Sequence, residues 1–498
     1  MDGVSTKELF ELNKGRSLSY NDFIILPNYT AFHSKEMSLK TKLSRNIEMD
    51  IPIVSSPMDT VTGASMAKCM ALLGGIGIIH YNNTIEEQCD MVKKVKKFEN
   101  GFISEPFAKS PNDLIESLRE CKYSNIPITE DGKRDGKLIG LITKYDFAFE
   151  KHSNLEIKER MTKINKLKIA TVEDINTDNK LDLSKANDIL LETSFSALPI
   201  IDKNGLLKYL VTRKDIQTNV YYPLATKNQN KKLMVGAAIG TNLADKDRVD
   251  SLVKAGVDVI KIDVAHAYTK FQIEMIKYIK NKYPEIDVIT GNVVTGEATE
   301  CLIKAGADAI SVGMGIGSIC TTQEVTATGR AQASAVYNCS KIAIKNNVPV
   351  IADGGISQSG HILRASVLGA NSCMLGNLLA GTNESLGEWI VTSSGEKFKK
   401  YRGMGSYEAM RAGSAKRYSV KKNGFKAAEG VPASVTNKGS IYEWLPVIIA
   451  GVKQGMQKIG CKSLEEIITK SKKEKIRVEL RTSSAQMEGN THDLIMIK

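Results

Sequence analysis

Paired cysteines, aromatic side chains and long apolar runs are all scarce in this chain of 498 residues. The eight cysteines, Cys69, Cys89, Cys121, Cys301, Cys320, Cys339, Cys373 and Cys461, include no C-x-x-C pair, and the six histidines do not cluster with them. That spacing argues against a zinc site and against a disulfide framework. No apolar run approaches the roughly 20 residues that a membrane helix needs. The start, Met-Asp-Gly-Val-Ser-Thr-Lys-Glu, has no basic region followed by an apolar core, so a reducing, cytoplasmic setting is expected. The net charge is +12, yet the lysines are scattered and no basic stripe carries interleaved aromatics. Nucleic acid is therefore not the expected main partner; attraction of phosphorylated metabolites is.

What the chain has in abundance is glycine between short apolar runs. Ile51-Pro-Ile-Val-Ser-Ser, Gly74–His80, Leu233–Ala238, Asp258–Asp263, Asp287–Gly291, Asp308–Val312, Pro349–Ala352 and Ser372–Leu375 all read as strands. Several follow one phrase: Lys254-Ala-Gly-Val-Asp258, Lys304-Ala-Gly-Ala-Asp308 and Leu368-Gly-Ala-Asn371 each read as a helix end, a glycine cap and a strand start. Near-continuous apolar strands in repeated helix–glycine–strand units predict an α/β protein with a parallel sheet closed by helices. Eight such strands predict a TIM (β/α)8 barrel.

The rhythm breaks from about 105 to 221. Asn125-Ile-Pro-Ile-Thr followed by Lys137-Leu-Ile-Gly-Leu-Ile-Thr-Lys-Tyr-Asp146 is echoed by Ala197-Leu-Pro-Ile-Ile-Asp followed by Leu207-Lys-Tyr-Leu-Val-Thr-Arg-Lys-Asp215. The duplication predicts two copies of one unit, about 105–160 and about 161–221, inserted between barrel segments 1–104 and 222–498. They resemble a tandem pair of CBS domains. The resemblance implies adenine or guanine nucleotides in the cleft between copies, with Thr143/Asp146 and Thr212/Asp215 matching the ribose-contacting pattern. After the eighth strand, residues 401–438 are polar and rich in glycine and lysine, which predicts a mobile flap. The tail from Leu480 to Gly489 is polar without strong periodicity and is expected to lack order.

The stretch Gly313-Met-Gly-Ile-Gly-Ser-Ile-Cys320-Thr-Thr places one cysteine on a glycine-rich loop at a strand's C-terminal end, where barrel active sites collect. A thiol there is a candidate nucleophile. Phosphate needs amides and small hydroxyls, which Ser318, Asp353-Gly-Gly355 and Gly376-Asn377 offer. The Asp353 carboxylate would repel phosphate and suits a ribose diol instead.

Val54-Ser-Ser-Pro-Met-Asp-Thr-Val61, Gly291-Asn-Val-Val-Thr295, the cysteine loop, Ala352-Asp-Gly-Gly-Ile356, Tyr401-Arg-Gly-Met-Gly-Ser406 and Lys416-Arg-Tyr418 together resemble the motifs of the inosine monophosphate (IMP) dehydrogenase family. The resemblance covers nearly the whole chain. It implies NAD-dependent oxidation of IMP through a covalent adduct on Cys320, with Arg417 and Tyr418 activating the hydrolytic water and Thr322 assisting. Ser56, Met58, Asn292, Ser318, Asp353, Gly355, Gly376, Asn377, Tyr401, Gly403, Met404, Gly405 and Glu429 would surround the nucleotide. Asp263, Val264, Ala265, Gly313 and Gly315 would meet NAD. Carbonyls of Gly315, Gly317 and Cys320, with Glu488, Gly489 and Asn490 of a neighbouring copy, would hold potassium. A homotetramer is implied, or an octamer through the CBS domains. The chain departs from the family pattern at Asp263-Val-Ala-His-Ala267, which lacks two small hydroxyls on the cofactor side, and at Ile316 and Asn377. His266 would either stack on the cofactor or sit as a satisfied loop histidine. Two rival readings stand beside this one: a guanosine monophosphate (GMP) reductase using NADPH, and an inactive nucleotide sensor.

Overall fold

The computed structural model describes residues 2–99, 102–118, 121, 123–147, 154–177, 180–413 and 427–490. The chain divides into two compact units, one of residues 1–95, 224–226 and 234–498, the other of 96–223 and 227–233. In the first, eight strands close a barrel: β1 (Ile53–Ser55), β2 (Ile76–Ile79), β3 (Gly236–Ile239), β4 (Val259–Asp263), β5 (Asp287–Val293), β6 (Ala309–Val312), β7 (Val350–Asp353) and β8 (Ser372–Leu375). All eight neighbouring pairs are parallel, and β8 returns to β1. The eight expected strands are the eight observed. Gly256, Gly306 and Gly369, at φ of +88°, +111° and +102°, end the helices before β4, β6 and β8 in the left-handed conformation that glycine adopts without a Cβ clash.

The inside of the barrel changes character with height. Val54, Ile76, Ile78, Ala238, Val259, Ile289, Ala309, Ile351 and Met374 form one buried apolar cluster with Leu43, Ile47 and Met49. Side chains two residues apart on a strand share a face. Val259 is therefore followed inside the barrel by Lys261 and Asp263, Ala309 by Ser311, Ile351 by Asp353 and Val54 by Ser56. The hairpin of Thr41–Lys42 and Glu48–Met49 closes the lower end. There the Asn46 N–H and Nδ2 donate to Asp287 at 3.0 and 2.8 Å, and Arg45 N–H to the Asp308 carbonyl at 3.1 Å, both at strand starts. The C-terminal end remains for chemistry. Around the outside helices pack closely: a Cβ on Gly77 of β2 would lie 2.5 Å from Ala67 Cα of the helix Ala64–Leu72.

Two expectations change here. The region after β8 is not one long loop. Trp389–Val391, Lys397–Arg402 and Pro432–Thr436 form an antiparallel sheet, and Tyr407–Arg411 is a short helix; the middle of the flap lies outside the described residues. The tail is likewise ordered. Arg477–Leu480 is the central strand between Val4–Ser5 and Phe23–Ile25, and Ser483–Glu488 is helical. Its order comes from partners about 450 positions away in the chain, which no local periodicity reveals.

The second unit carries the duplication. Asn125–Thr129 pairs with Leu138–Thr143, and Ala197–Ile201 with Leu207–Thr212, both antiparallel and each hairpin leading into a helix. Each copy has its own core, around Ile126, Ile128 and Ile142 in the first and Leu198, Ile200 and Val211 in the second. Thr143 N–H and Oγ1 both donate to Asp146 Oδ2 at 2.8 Å, and Thr212 and Asp215 repeat the contact at 3.0 and 2.6 Å. These pairs thus cap the two helix starts.

The strands on either side of the insertion, β2 and β3, are hydrogen-bonded to each other, Ile78 opposite Gly236. The barrel therefore closes without the inserted unit. Joining Lys96 to Leu224 by a short Gly/Ser linker is expected to leave a folded barrel with a single cooperative melt by circular dichroism; loss of that transition would show that the barrel needs the insert to fold.

Candidate active site

The pocket at the C-terminal end of the barrel has a volume of about 900 Å³ including its open mouth. Its walls come from the loops after the strands. Ser56 and Met58 follow β1; Asp263 ends β4 and Ala265 follows it; Asn292 lies in β5; Gly313, Gly315, Gly317, Cys320 and Thr322 follow β6; Asp353 ends β7; and Gly376 follows β8. Tyr401, Gly403, Met404, Gly405 and Glu429 come from the flap.

Cys320 is half-buried, unlike Cys339, whose burial pushes its thiol up to about 11. The loop turns tightly beneath it, with the Cys320 N–H donating to the Gly317 carbonyl at 2.9 Å. Gly354, at φ +98°, lets the next loop press close: a Cβ there would sit 2.3 Å from Ile316 Cδ1. Cys320 Sγ and Thr322 Oγ1 are 3.1 Å apart, and the Thr322 hydroxyl donates to Glu429 Oε2 at 3.0 Å. With that proton committed to the carboxylate, the thiol is the donor in the first contact. A proton path thus runs from sulfur through hydroxyl to carboxylate, the arrangement an activated nucleophile requires.

The flap delivers Glu429 by pairing with the cysteine loop. Thr321 N–H donates to the Glu429 carbonyl at 3.0 Å, Val431 N–H to the Ile319 carbonyl at 3.0 Å, and Glu429 N–H to the Gly405 carbonyl at 3.0 Å. Arg402 anchors the flap's start, with Nη2 2.6 Å from Asp59 Oδ2 and Nε donating to both carboxylate oxygens at 3.2 Å. Burial pushes the Tyr401 phenol well above its ordinary value, so it is a neutral wall of the pocket.

Some expected residues stand elsewhere. Ser318 and Asn377 meet at the pocket's rim, where Asn377 Nδ2 donates to Ser318 Oγ at 3.0 Å. Gly355 lies beside Gly354 without lining the pocket. Val264 is buried behind it, and its carbonyl accepts the Asn292 N–H at 2.9 Å. Glu488, Gly489 and Asn490 lie at the C-terminal helix, away from the pocket walls. Arg417 and Tyr418 lie outside the described residues. A second cavity shares Ala265, Met314, Thr322 and Glu429 with the first and continues past His266, Tyr268 and Glu297. Tyr268 donates its hydroxyl to Glu297 Oε1 at 3.1 Å. An extended ligand reacting at Cys320 has room to run into it.

Residues 17–492 match the family described as IMP dehydrogenase / GMP reductase domain. The inosine-5′-monophosphate dehydrogenase of Schizosaccharomyces pombe is 46% identical, over 98% of this chain and 94% of its own length. Inosine-5′-monophosphate dehydrogenase 2 of Arabidopsis thaliana is 42% identical, over 99% and 98%. Among solved structures, the chain is similar to a cysteine-to-alanine variant of GMP reductase from Trypanosoma brucei in complex with guanosine 5′-monophosphate, with TM-score 0.86, 34% identity and coverage of 97% of this chain and 99% of that one. The chain belongs to the IMP dehydrogenase / GMP reductase family.

Two features of this site lie beyond the family motifs in the sequence. Those motifs give Glu429 only as a nucleotide contact, because its link to Thr322 joins positions 107 apart. They do not mark Lys261, although it lines the pocket. A signal existed: a lysine in the middle of Val259-Ile-Lys-Ile-Asp263, a strand that must be buried on both faces, has to find a carboxylate inside. Thr322→Val keeps the shape and breaks the proton path. Its turnover is expected to fall by about 10²–10⁴ and its alkylation by iodoacetamide at neutral pH to slow, whereas Thr322→Ser retains most of both; unchanged alkylation in Thr322→Val would remove the relay from the mechanism.

Proposed function

We propose that this chain oxidises inosine 5′-monophosphate to xanthosine 5′-monophosphate with NAD as acceptor, the committed step toward guanine nucleotides. The observation that carries the reading is the Cys320–Thr322–Glu429 chain set in one pocket with the Asp353 carboxylate. The direction of the reaction is supported by the dehydrogenase relatives, 46% and 42% identical over nearly full length, and by Arg417-Tyr418 in the sequence. In this reading Asp353 accepts from the ribose diol, and Ser318, Gly355, Gly376 and Asn377 face the phosphate. Glu429 takes the proton that Thr322 relays from Cys320, and the thiolate adds to C2 of the hypoxanthine ring. NAD, when bound, supplies the acceptor for the hydride leaving C2, which turns the adduct into a thioimidate on Cys320. Water then adds to C2, the C2–S bond breaks, and the sulfur recovers its proton. Arg417 and Tyr418 activate that water. Arginine ordinarily holds its proton far above neutral pH, so this role requires a strongly perturbed guanidinium.

The two connected cavities fit an extended dinucleotide, with Asp263, Ala265, Gly313 and Gly315 beside the reacting centre and His266, Tyr268 and Glu297 further out. The backbone carbonyls of the cysteine loop are hard oxygen donors, which suits a monovalent cation such as potassium. Gly315, Gly317 and Cys320 would hold it by their carbonyls, with Glu488, Gly489 and Asn490 of a neighbouring copy, in a homotetramer or octamer. The duplicated unit reads as a CBS pair binding adenine or guanine nucleotides, supported by its two hairpin–helix copies. A cytoplasmic setting accords with this substrate; among the described residues no helix is long and apolar enough to cross a membrane. The second reading, NADPH-dependent reduction of GMP, is favoured by the likeness to the Trypanosoma brucei reductase.

Purified protein assayed at 340 nm with IMP, NAD and potassium, and separately with GMP and NADPH, decides between the two. Arg417→Ala then separates the steps. Its steady rate is expected to fall by about 10²–10⁴ while a burst of NADH equal to the enzyme sites survives and an adduct accumulates on Cys320, visible by mass spectrometry. An unchanged steady rate, or loss of the burst, would remove Arg417 from water activation.

A further inference from the structure

At the floor of the pocket one cation serves two carboxylates. Lys261 Nζ lies 3.0 Å from Asp263 Oδ1, 3.0 Å from Asp353 Oδ2 and 3.2 Å from Met374 Sδ. The Lys261 side chain is 1% exposed, Asp263 2% and Asp353 16%. Burial by itself would drive the ammonium to lose its proton; the two carboxylates outweigh that and hold Lys261 above the ordinary lysine value. Asp353 Oδ2 also accepts from Asn292 Nδ2 and Ser311 Oγ, each at 3.0 Å. Three donors on one oxygen fix the plane of the carboxylate and leave Oδ1 for a ligand.

We infer that Lys261 is a positioning residue shared by two subsites, holding Asp353 for the ribose of the 5′-nucleotide and Asp263 for the cofactor with the same ammonium. The inference rests on the roles given to those carboxylates in the proposed function. The charged groups acting on the ammonium are Asp263 from its own strand β4 and Asp353 from β7; β5, β6 and β8 add the neutral Asn292, Ser311 and Met374, while Cys320 and Glu429 border the same pocket. Without Lys261, Asp263 and Asp353 face each other as two like charges on a desolvated floor, which favours one proton shared by the pair. Whatever share of it rests on Asp353 weakens the acceptor that the ribose needs. The penalty on nucleotide binding is then greatest at low pH and fades as pH rises and both carboxylates ionise.

Lys261→Met keeps the volume and removes the charge. By calorimetry its affinity for IMP is expected to fall about tenfold or more, the usual worth of a hydrogen bond to a charged group, and to recover between about pH 6 and about pH 8.5, where the unaltered protein changes little. In turnover its KM for NAD rises while the burst per site survives. Adding Asp263→Asn removes the competing charge, so the double variant regains IMP affinity and loses the pH dependence, yet its KM for NAD stays high. A pH-independent loss with no rescue by Asp263→Asn, or unchanged affinity in a folded Lys261→Met protein, would overturn the inference. Should Lys261→Met fail to fold, Lys261→Gln, which keeps a donor without the charge, takes its place with the same expected pH dependence. The calorimetry needs no turnover, so a protein that reduces GMP would refute the proposed reaction and leave this test standing with GMP as the probe.

Discussion

Period-two alternation inside a closed parallel barrel is the constraint on which the rest of this molecule depends. Each strand must present an apolar side chain at the level where eight strands meet, and two residues later the same face reaches the level where the loops open. Val54 and Ser56, Val259 and Lys261, Ala309 and Ser311, Ile351 and Asp353 are all such pairs. The lower member packs; the upper one is polar. One geometric rule thus separates a dry core from a reactive floor across a few ångströms, and the hairpin that seals the lower end leaves the upper one as the place for a ligand.

That floor could not be built from carboxylates alone. Two buried acids in one layer repel, and breaking a buried ion pair by removing one partner typically costs about 3–5 kcal/mol because the survivor stays desolvated. Lys261 resolves the conflict by standing between Asp263 and Asp353. The proposed nucleophile is handled differently. Cys320 has no cation beside it among its described contacts; its proton instead has a route through Thr322 to Glu429, and Glu429 is in place because it and Val431 hydrogen-bond to the cysteine loop. Chemistry at the thiol and closure of the flap therefore share the same hydrogen bonds.

The barrel was legible in the sequence because its signals are local. Helix-ending glycines such as Gly256, Gly306 and Gly369 are set by a backbone angle that glycine alone adopts freely, and apolar runs of four to seven residues between them leave little choice but buried parallel strands. The duplication at 125–146 and 197–215 was legible for the same reason, since like local sequences made like hairpins and helices. Cys320 is marked by its glycine-rich surroundings, and the motifs around it carry the family resemblance.

Tertiary structure alone decided which of these residues touch. The Thr322–Glu429 contact spans 107 positions, Lys261–Asp353 spans 92, and the strand Arg477–Leu480 is ordered by partners near the opposite terminus. Local periodicity carries no information about such pairings; they follow from which loops the closed barrel brings to one end. The strands, the glycine turns, the duplicated insert and the candidate nucleophile are readable along the chain, because each depends on the conformational preferences of residues adjacent in it. The shared cation, the proton path from the thiol and the ordering of flap and tail were decided by the fold, because each depends on the cost of burying charges and edges that only a distant partner can satisfy.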